Sequence, residues 1–162
     1  MKTITITQER PDTLDARSLI EELEHYLASL YPIEARYGLS VARLLADKVA
    51  FFVLRYDDLP VGCGGVKCFG KKYAELKRMY VRPSHQEIGL GKKILAHLET
   101  YASSQGITLM RLETGIYQEA AMRLYERMGY QKRAPFGDYQ AGPFNIFYEK
   151  SIAPPSEQPG KK

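Results

Sequence analysis

A mixed α/β fold, about seven strands and four helices in the order β-α-α-β-β-β-α-β-α-β-β, is what this 162-residue chain predicts. Three observations carry that expectation. Strand-like and helix-like periodicities alternate along most of the sequence. Three strand-like runs follow one another between Val49 and Val81 with only short turns between them. A glycine-bearing loop, Gln86-x-x-Gly89-x-Gly91, joins the last of these runs directly to an amphipathic helical pattern.

Each element has a local reason. Thr/Ile alternation makes residues 3–8 the first strand. Asp12-Thr13-Leu14-Asp15 offers N-cap residues for a helix from Asp15 to Leu30. Leu19, Leu23, Leu27 and Leu30 line one face of that helix, and Tyr31-Pro32 stops it. Ser40 to Ala46 reads as a short second helix. Val49 to Tyr56 and Pro60 to Phe69 read as a hairpin turning at Asp57-Asp58. Gly70-Lys71-Lys72 makes the next turn, into a strand from Tyr73 to Val81. That strand ends at Arg82-Pro83, because proline lacks the N–H a ladder needs. A helix follows from Leu90 to Ser104, closed by Gly106 just past its end. Ile107 to Thr114 is a strand, and Glu119 to Met128 a helix capped by Gly129. Tyr130 to Arg133 and Asn145 to Ser151 are the last strands, around a loop rich in Pro, Gly and aromatics. Residues 1–152 are expected to form one domain, and 153–162 a disordered tail.

Composition narrows the function classes. A chain of this length can bury a real hydrophobic core, and its 44% hydrophobic and 26% charged residues are ordinary for a soluble globular protein. No stretch approaches the ~18–20 apolar residues of a membrane span. Met1 to Thr7 alternates like a strand rather than reading as a signal peptide, so the expected location is the cytoplasm. A formal charge of +4 suits an anionic ligand. It lacks the clustered basic face of a nucleic-acid binder, so neither nucleic acid nor membrane is expected as a partner. Cys63 and Cys68 fall on opposite faces of one strand and read as free thiols. His25, His85 and His97 belong to no cluster with metal-ligand spacing, and no metal is expected.

The loop after the third of the central strands carries the chemistry. Glycines at a helix start let the backbone approach a ligand, the first N–H groups of the helix have no internal partner, and the helix dipole favours negative charge there. Lys92 and Lys93 add cations. The pattern therefore reads as a pyrophosphate cradle. It is not a Walker loop, because Lys93 rather than Ser or Thr follows Lys92. It is not a dinucleotide fingerprint either, because Ile94 stands where a third glycine belongs. The Gly62-Cys63-Gly64-Gly65 cluster likewise lacks the third glycine.

Q/R-x-x-G-x-G/A after Lys77-Arg78-Met79-Tyr80-Val81-Arg82-Pro83 resembles motif A of the GNAT superfamily of N-acetyltransferases, whose element order is also the one above. The resemblance implies that acetyl-CoA is the co-substrate, with its pyrophosphate on Gln86, Glu87, Ile88, Gly89, Leu90, Gly91 and Lys92. It implies further that the fourth strand splays from the fifth, and that Met79, Tyr80 and Val81 offer backbone groups to the pantetheine arm. Ala121, Tyr125, Gly129 and Tyr130 match the family's motif B in spacing, with Gln118 where Asn is usual. Ala121 and Tyr125 lie one turn apart on one helix face. The small alanine then lets the co-substrate pass, and Tyr125 protonates the leaving thiolate.

Glu75 occupies the strand position that supplies the base in the histone-acetylating branch, and Glu113 is a second carboxylate for the same duty. By alternation, Glu75 and Lys77 are expected on the strand face of Met79 and Val81. The resemblance places substrate determinants in the segments Tyr31 to Tyr37 and Pro135 to Phe144, with Tyr31, Glu34 and Asp138, whose aromatics suit a small amphipathic amine, and Glu113 and Tyr117 are expected to join them. The resemblance thus implies direct acetyl transfer from acetyl-CoA to an amine in a ternary complex, with no acetyl-cysteine, and it allows a homodimer. A non-catalytic acyl-CoA-binding regulatory module and an enzyme acting on protein N-termini or lysines stay open as alternatives.

Overall fold

A computed structural model describes residues 2–154, so most of the expected tail, residues 155–162, lies outside the described residues. Ala153 and Pro154 carry no regular structure. The strands are β1 (Ile4–Gln8), β2 (Ala50–Tyr56), β3 (Leu59–Phe69), β4 (Tyr73–Val81), β5 (Leu109–Gly115), β6 (Gln131–Arg133) and β7 (Asn145–Ser151). The helices are α1 (Leu14–Leu30), α2 (Val41–Ala46), α3 (Leu90–Ser104) and α4 (Glu119–Arg127). The strands form one sheet in the order β1-β2-β3-β4-β5-β7-β6, antiparallel except between β4 and β5.

Local chemistry sets the boundaries. Thr13 caps α1 by accepting from the Ala16 N–H, and Ser40 caps α2 by accepting from the Arg43 N–H. Asp57 and Asp58 both have positive φ, the twist a two-residue hairpin turn demands. Gly106 and Gly129, at φ of 81° and 95°, take the left-handed positions just past α3 and α4.

Both sheet faces are covered. Leu90, Ile94, Leu95 and Leu98 of α3 pack with Tyr125 of α4 on Leu54, Leu76, Met110 and Leu112. Ala16, Leu19 and Ile20 of α1 pack with Leu44 of α2 on Phe51, Val53 and Cys63. A third cluster, Tyr73, Phe136 and Phe147, fastens the loop between β6 and β7 to the sheet. Each fully buried leucine contributes roughly 1.5–3 kcal/mol by leaving water. Cys63 is buried, Cys68 is exposed, and both are free.

Two departures from regular pairing create the site. The β4–β5 ladder holds only two register pairs, Ala74 with Met110 and Glu75 with Arg111. Beyond Glu75 the strands part, and among the described residues no strand lies on that side of β4 from Leu76 to Val81. In addition, Arg78 adopts φ of 53° where the β3–β4 register shifts between Cys63 and Gly65, a bulge that turns the strand over. The expected alternation is therefore corrected. Met79 and Val81 pack on the α3 face with Ala74 and Leu76, whereas Glu75 and Lys77 face Tyr139 on the other side.

Candidate active site

The cleft opened where β4 and β5 part holds about 690 Å³ of empty space, its open mouth included. The parting strands supply Glu75, Lys77, Arg78, Met79, Glu113 and Thr114 to it, and Gln118 and Tyr125 come from the α4 side. Tyr31, Arg36, Tyr37, Gly38 and Tyr139 complete the lining.

At one end of the parted edge lies the glycine loop. Pro83–His85 forms a short 3-10 helix, and Gln86 folds its side chain back to donate from Nε2 to the Val81 carbonyl at 2.9 Å. Glu87 and Gly89 then adopt left-handed φ of 68° and 85°, with open space around Gly89 where a side chain would stand. The Lys93 N–H is the first to enter the helical ladder, bonding to the Gly89 carbonyl at 3.2 Å. Among the described residues, no N–H from Glu87 to Lys92 finds a backbone acceptor. Such a run at a helix start is a fixed concentration of partial positive charge. Leu90 contributes only its backbone, since its side chain is in the core, while Ile88 and Lys92 are exposed. Gly91 faces α4, where an added Cβ would stand 3.0 Å from a Leu124 methyl.

Tyr125 sits where α4 meets the gap. It packs with Tyr130 and Tyr148, and those two hydroxyls donate to Glu99 at 2.8 Å and Glu126 at 2.7 Å. The Tyr125 hydroxyl, by contrast, has no hydrogen-bond partner among the described residues and lies on the cleft. Burial, with Glu113 nearby, pushes its pKa well above the ordinary phenol value, so it holds its proton throughout the physiological range.

Three groups form a closed triangle beside it. Lys77 Nζ lies 2.8 Å from Glu75 Oε2 and donates to the Tyr139 hydroxyl at 2.9 Å, and that hydroxyl donates to Glu75 Oε2 at 2.6 Å. Glu75 is thus buried at 3% exposure with its charge matched by Lys77. Glu113 is different. Burial raises its pKa to about 7, with Glu75 adding to the rise, while the Asn145 amide at 2.5 Å and Lys77 oppose it. A carboxylate balanced between its two states near neutrality can take up a proton and release it.

The other residues singled out from the sequence divide between brace and surface. Gln118 Oε1 accepts from the Gly115 N–H at 3.0 Å and from Thr114 Oγ1 at 3.4 Å, which ties the β5–α4 turn. Tyr31 accepts from the Tyr117 N–H at 3.0 Å and stacks on the Tyr117 ring. Ala121 packs on the α3-side core. The Tyr80 hydroxyl reaches Glu22 of α1 at 3.2 Å, away from the gap. Glu34 and Asp138 are exposed and outside the cleft. Sequence reasoning passed over Arg36, Lys77, Arg78, Tyr139 and Asn145 as site residues. Lys77 had a signal in its alternation with Glu75, and Arg36 and Tyr139 lie within the two aromatic-rich segments expected to shape the substrate site. No group of three His, Cys, Asp or Glu among the described residues is placed to hold a metal, and no described helix is long and apolar enough to cross a membrane.

Comparison with known proteins agrees with this geometry. A sequence model described as the Acetyltransferase (GNAT) family matches residues 14–130. An IAA acetyltransferase of Azospirillum brasilense is 36% identical over 153 residues, covering 94% of this chain and all of that protein. An uncharacterised N-acetyltransferase of Bacillus subtilis is 31% identical, covering 83% of this chain and 91% of its own length. A solved structure from Klebsiella pneumoniae, provisionally described as an acyl-CoA N-acyltransferase, superposes with a TM-score of 0.80 at 34% identity, covering 93% of this chain and 99% of the other.

Proposed function

The chain belongs to the acetyltransferase (GNAT) family, and from that premise we propose that it transfers acetyl from acetyl-CoA to the primary amine of a small molecule, by direct attack in a ternary complex. The observation that carries the reading is the parted β4–β5 edge, with an unbonded phenol at the gap and a carboxylate poised near neutrality in the same cleft. The free N–H run from Glu87 to Lys92 and the open space at Gly89 fit a pyrophosphate. The Leu76–Val81 edge fits an extended amide-bearing arm by strand-like pairing. Acetyl-CoA supplies the activated thioester.

The residues divide the proton work. Glu113 takes the proton of the incoming ammonium, which frees the nitrogen lone pair. As the carbon–nitrogen bond forms and the carbon–sulfur bond breaks, Tyr125 gives its proton to the departing thiolate, and the second proton that the acylated nitrogen sheds restores the phenol. The phenol suits that duty because burial keeps its proton in place until the thiolate develops beside it. Glu75, already matched by Lys77 and Tyr139, holds the local field that keeps Glu113 poised. Residues 1–152 act in this reading as one cytoplasmic catalytic domain. A small acceptor is favoured over a protein chain because Tyr37 and Tyr139, edge to face at 5.2 Å, stand across the substrate side.

Amine-dependent release of thiol from acetyl-CoA tests the proposal. Turnover with at least one small primary amine, lost on Tyr125→Phe while acetyl-CoA still binds, is the expected result. Equal turnover in the variant removes Tyr125 from the chemistry, and tight acetyl-CoA binding with no amine acetylated leaves a binding module in place of an enzyme.

A further inference from the structure

The substrate side of the cleft is more cationic than an acceptor amine alone would want. Arg36, Lys77 and Arg78 line it against two carboxylates, Glu75 and Glu113. Glu75 is matched by Lys77, and Glu113 titrates near 7. A diamine or polyamine entering here would bring a second positive charge toward two guanidinium groups.

Those guanidinium groups are also incompletely partnered. Arg78 is 3% exposed over its side chain. It donates from Nε to the Leu39 carbonyl at 2.9 Å and pairs through Nη2 with Glu24 Oε1. Arg36 shares the same carboxylate, reaching Glu24 Oε2 at only 3.5 Å. One negative charge therefore serves two positive ones. Of the remaining donors, Arg78 Nη1 and Arg36 Nε are buried and have no hydrogen-bond partner among the described residues. A buried unpaired donor costs about 1–3 kcal/mol, and more when it is charged. An unsatisfied buried donor in a native structure calls for an explanation, and an acceptor brought by a ligand is one. Gly38 completes the arrangement, because any side chain there would collide with the Arg78 guanidinium. Glycine at that point lets the segment from Arg36 to Leu39 lie flat over the group without displacing it.

We propose that this pair of guanidinium groups receives a carboxylate of the acceptor, so that the substrate is an amine carrying its own carboxylate, an amino-acid-like molecule. The assignment rests on the acetyltransferase reading above and deepens it. A carboxylate offers two oxygens in the plane that guanidinium donors address, and it neutralises the excess charge. With its carboxylate at Arg36 and Arg78, an acceptor of this kind sends its amine back along the cleft, whose other lining includes Glu113 and Tyr125.

The test compares amines in pairs that differ only by the carboxylate: L-phenylalanine with phenethylamine, L-leucine with isopentylamine, and L-lysine with cadaverine. The wild-type chain is expected to favour the acid of at least one pair by about tenfold or more in kcat/KM. Arg36→Gln is expected to collapse that preference about tenfold, chiefly through KM, and Arg36→Lys to restore part of it. Unchanged thermal unfolding of both variants shows that the fold is intact. A wild-type preference for the carboxyl-free member of every accepted pair overturns the inference while leaving the acetyltransferase reading standing. So does a preference that Arg36→Gln leaves unchanged. If acetyl-CoA binds and none of the six amines is acetylated, the small-amine reading fails and this inference falls with it.

Discussion

In the proposed reaction two side chains at the gap do opposite proton work, and their surroundings explain why they could. Tyr125 is the one of three packed tyrosines whose hydroxyl no carboxylate holds, so its proton is available to a leaving group. Removing it in Tyr125→Phe should lower kcat about a hundredfold, the usual scale for one positioned acid, while acetyl-CoA affinity stays within about twofold. Calorimetry and steady-state rates measured together check both halves. Glu113 should appear in the pH profile as an ionisation near 7, with kcat/KM rising as the carboxylate forms. Glu113→Gln should remove that inflection and most of the rate. Of the two candidate bases, the sequence singled out Glu75 by its likeness to one branch of the family. Its partners Lys77 and Tyr139 come from the same strand and from a distant loop, and the second of these carries no local signal. Glu113 owes its character to Asn145, Glu75, Lys77 and burial, all of them tertiary facts.

At the scale of elements, β4 and the loop into α3 form the working part. The strand from Tyr73 to Val81 and the helix from Leu90 to Ser104 stand where periodicity, Pro83 and the glycines predicted them, because those signals are local. The bulge was invisible. Arg78 adopts a left-handed φ that favours glycine, and the strain is offset by distant groups, Glu24 and the Leu39 carbonyl. Period-two reasoning across it consequently assigned Met79 and Val81 to the wrong face. The glycine positions make a sharper test. Gly91→Val would press on Leu124, whose methyl an added Cβ would meet at 3.0 Å, and would narrow the floor of the cradle. It should raise KM for acetyl-CoA about tenfold or more while leaving the amine KM nearly unchanged. Gly89→Ala needs φ of 85° from a residue with a Cβ, and should cost roughly 1–2 kcal/mol of stability by denaturant titration.

The whole molecule carries the record of that site in its stability. Glu113 has an ordinary value of 4.5 and about 7 in the folded chain, so folding favours the protonated form. The stability this contributes is present below 4.5 and is lost as pH rises to about 7, a loss of about 3 kcal/mol for this group. Glu113→Gln should flatten that part of the unfolding free-energy profile between pH 4.5 and 7. The sheet that bears the cost is held from both faces, and Leu98→Ala in the α3 core should remove about 2–5 kcal/mol. The order of the seven strands and four helices along the chain was legible because turn residues and helix caps announce their boundaries locally. What opens the cleft was not, because divergence of β4 from β5 is the absence of pairing between residues that both look like ordinary strand.

The measurement that reaches the centre of the account is a calorimetric titration of the intact chain with acetyl-CoA, run beside the Gly91→Val variant. Micromolar binding of one molecule per chain, weakened about tenfold or more in the variant, is the predicted result. No binding to the wild-type chain, or equal binding by both, would contradict the assignment of the Gln86–Lys92 loop as the cradle and, with it, the chemistry placed at Tyr125 and Glu113.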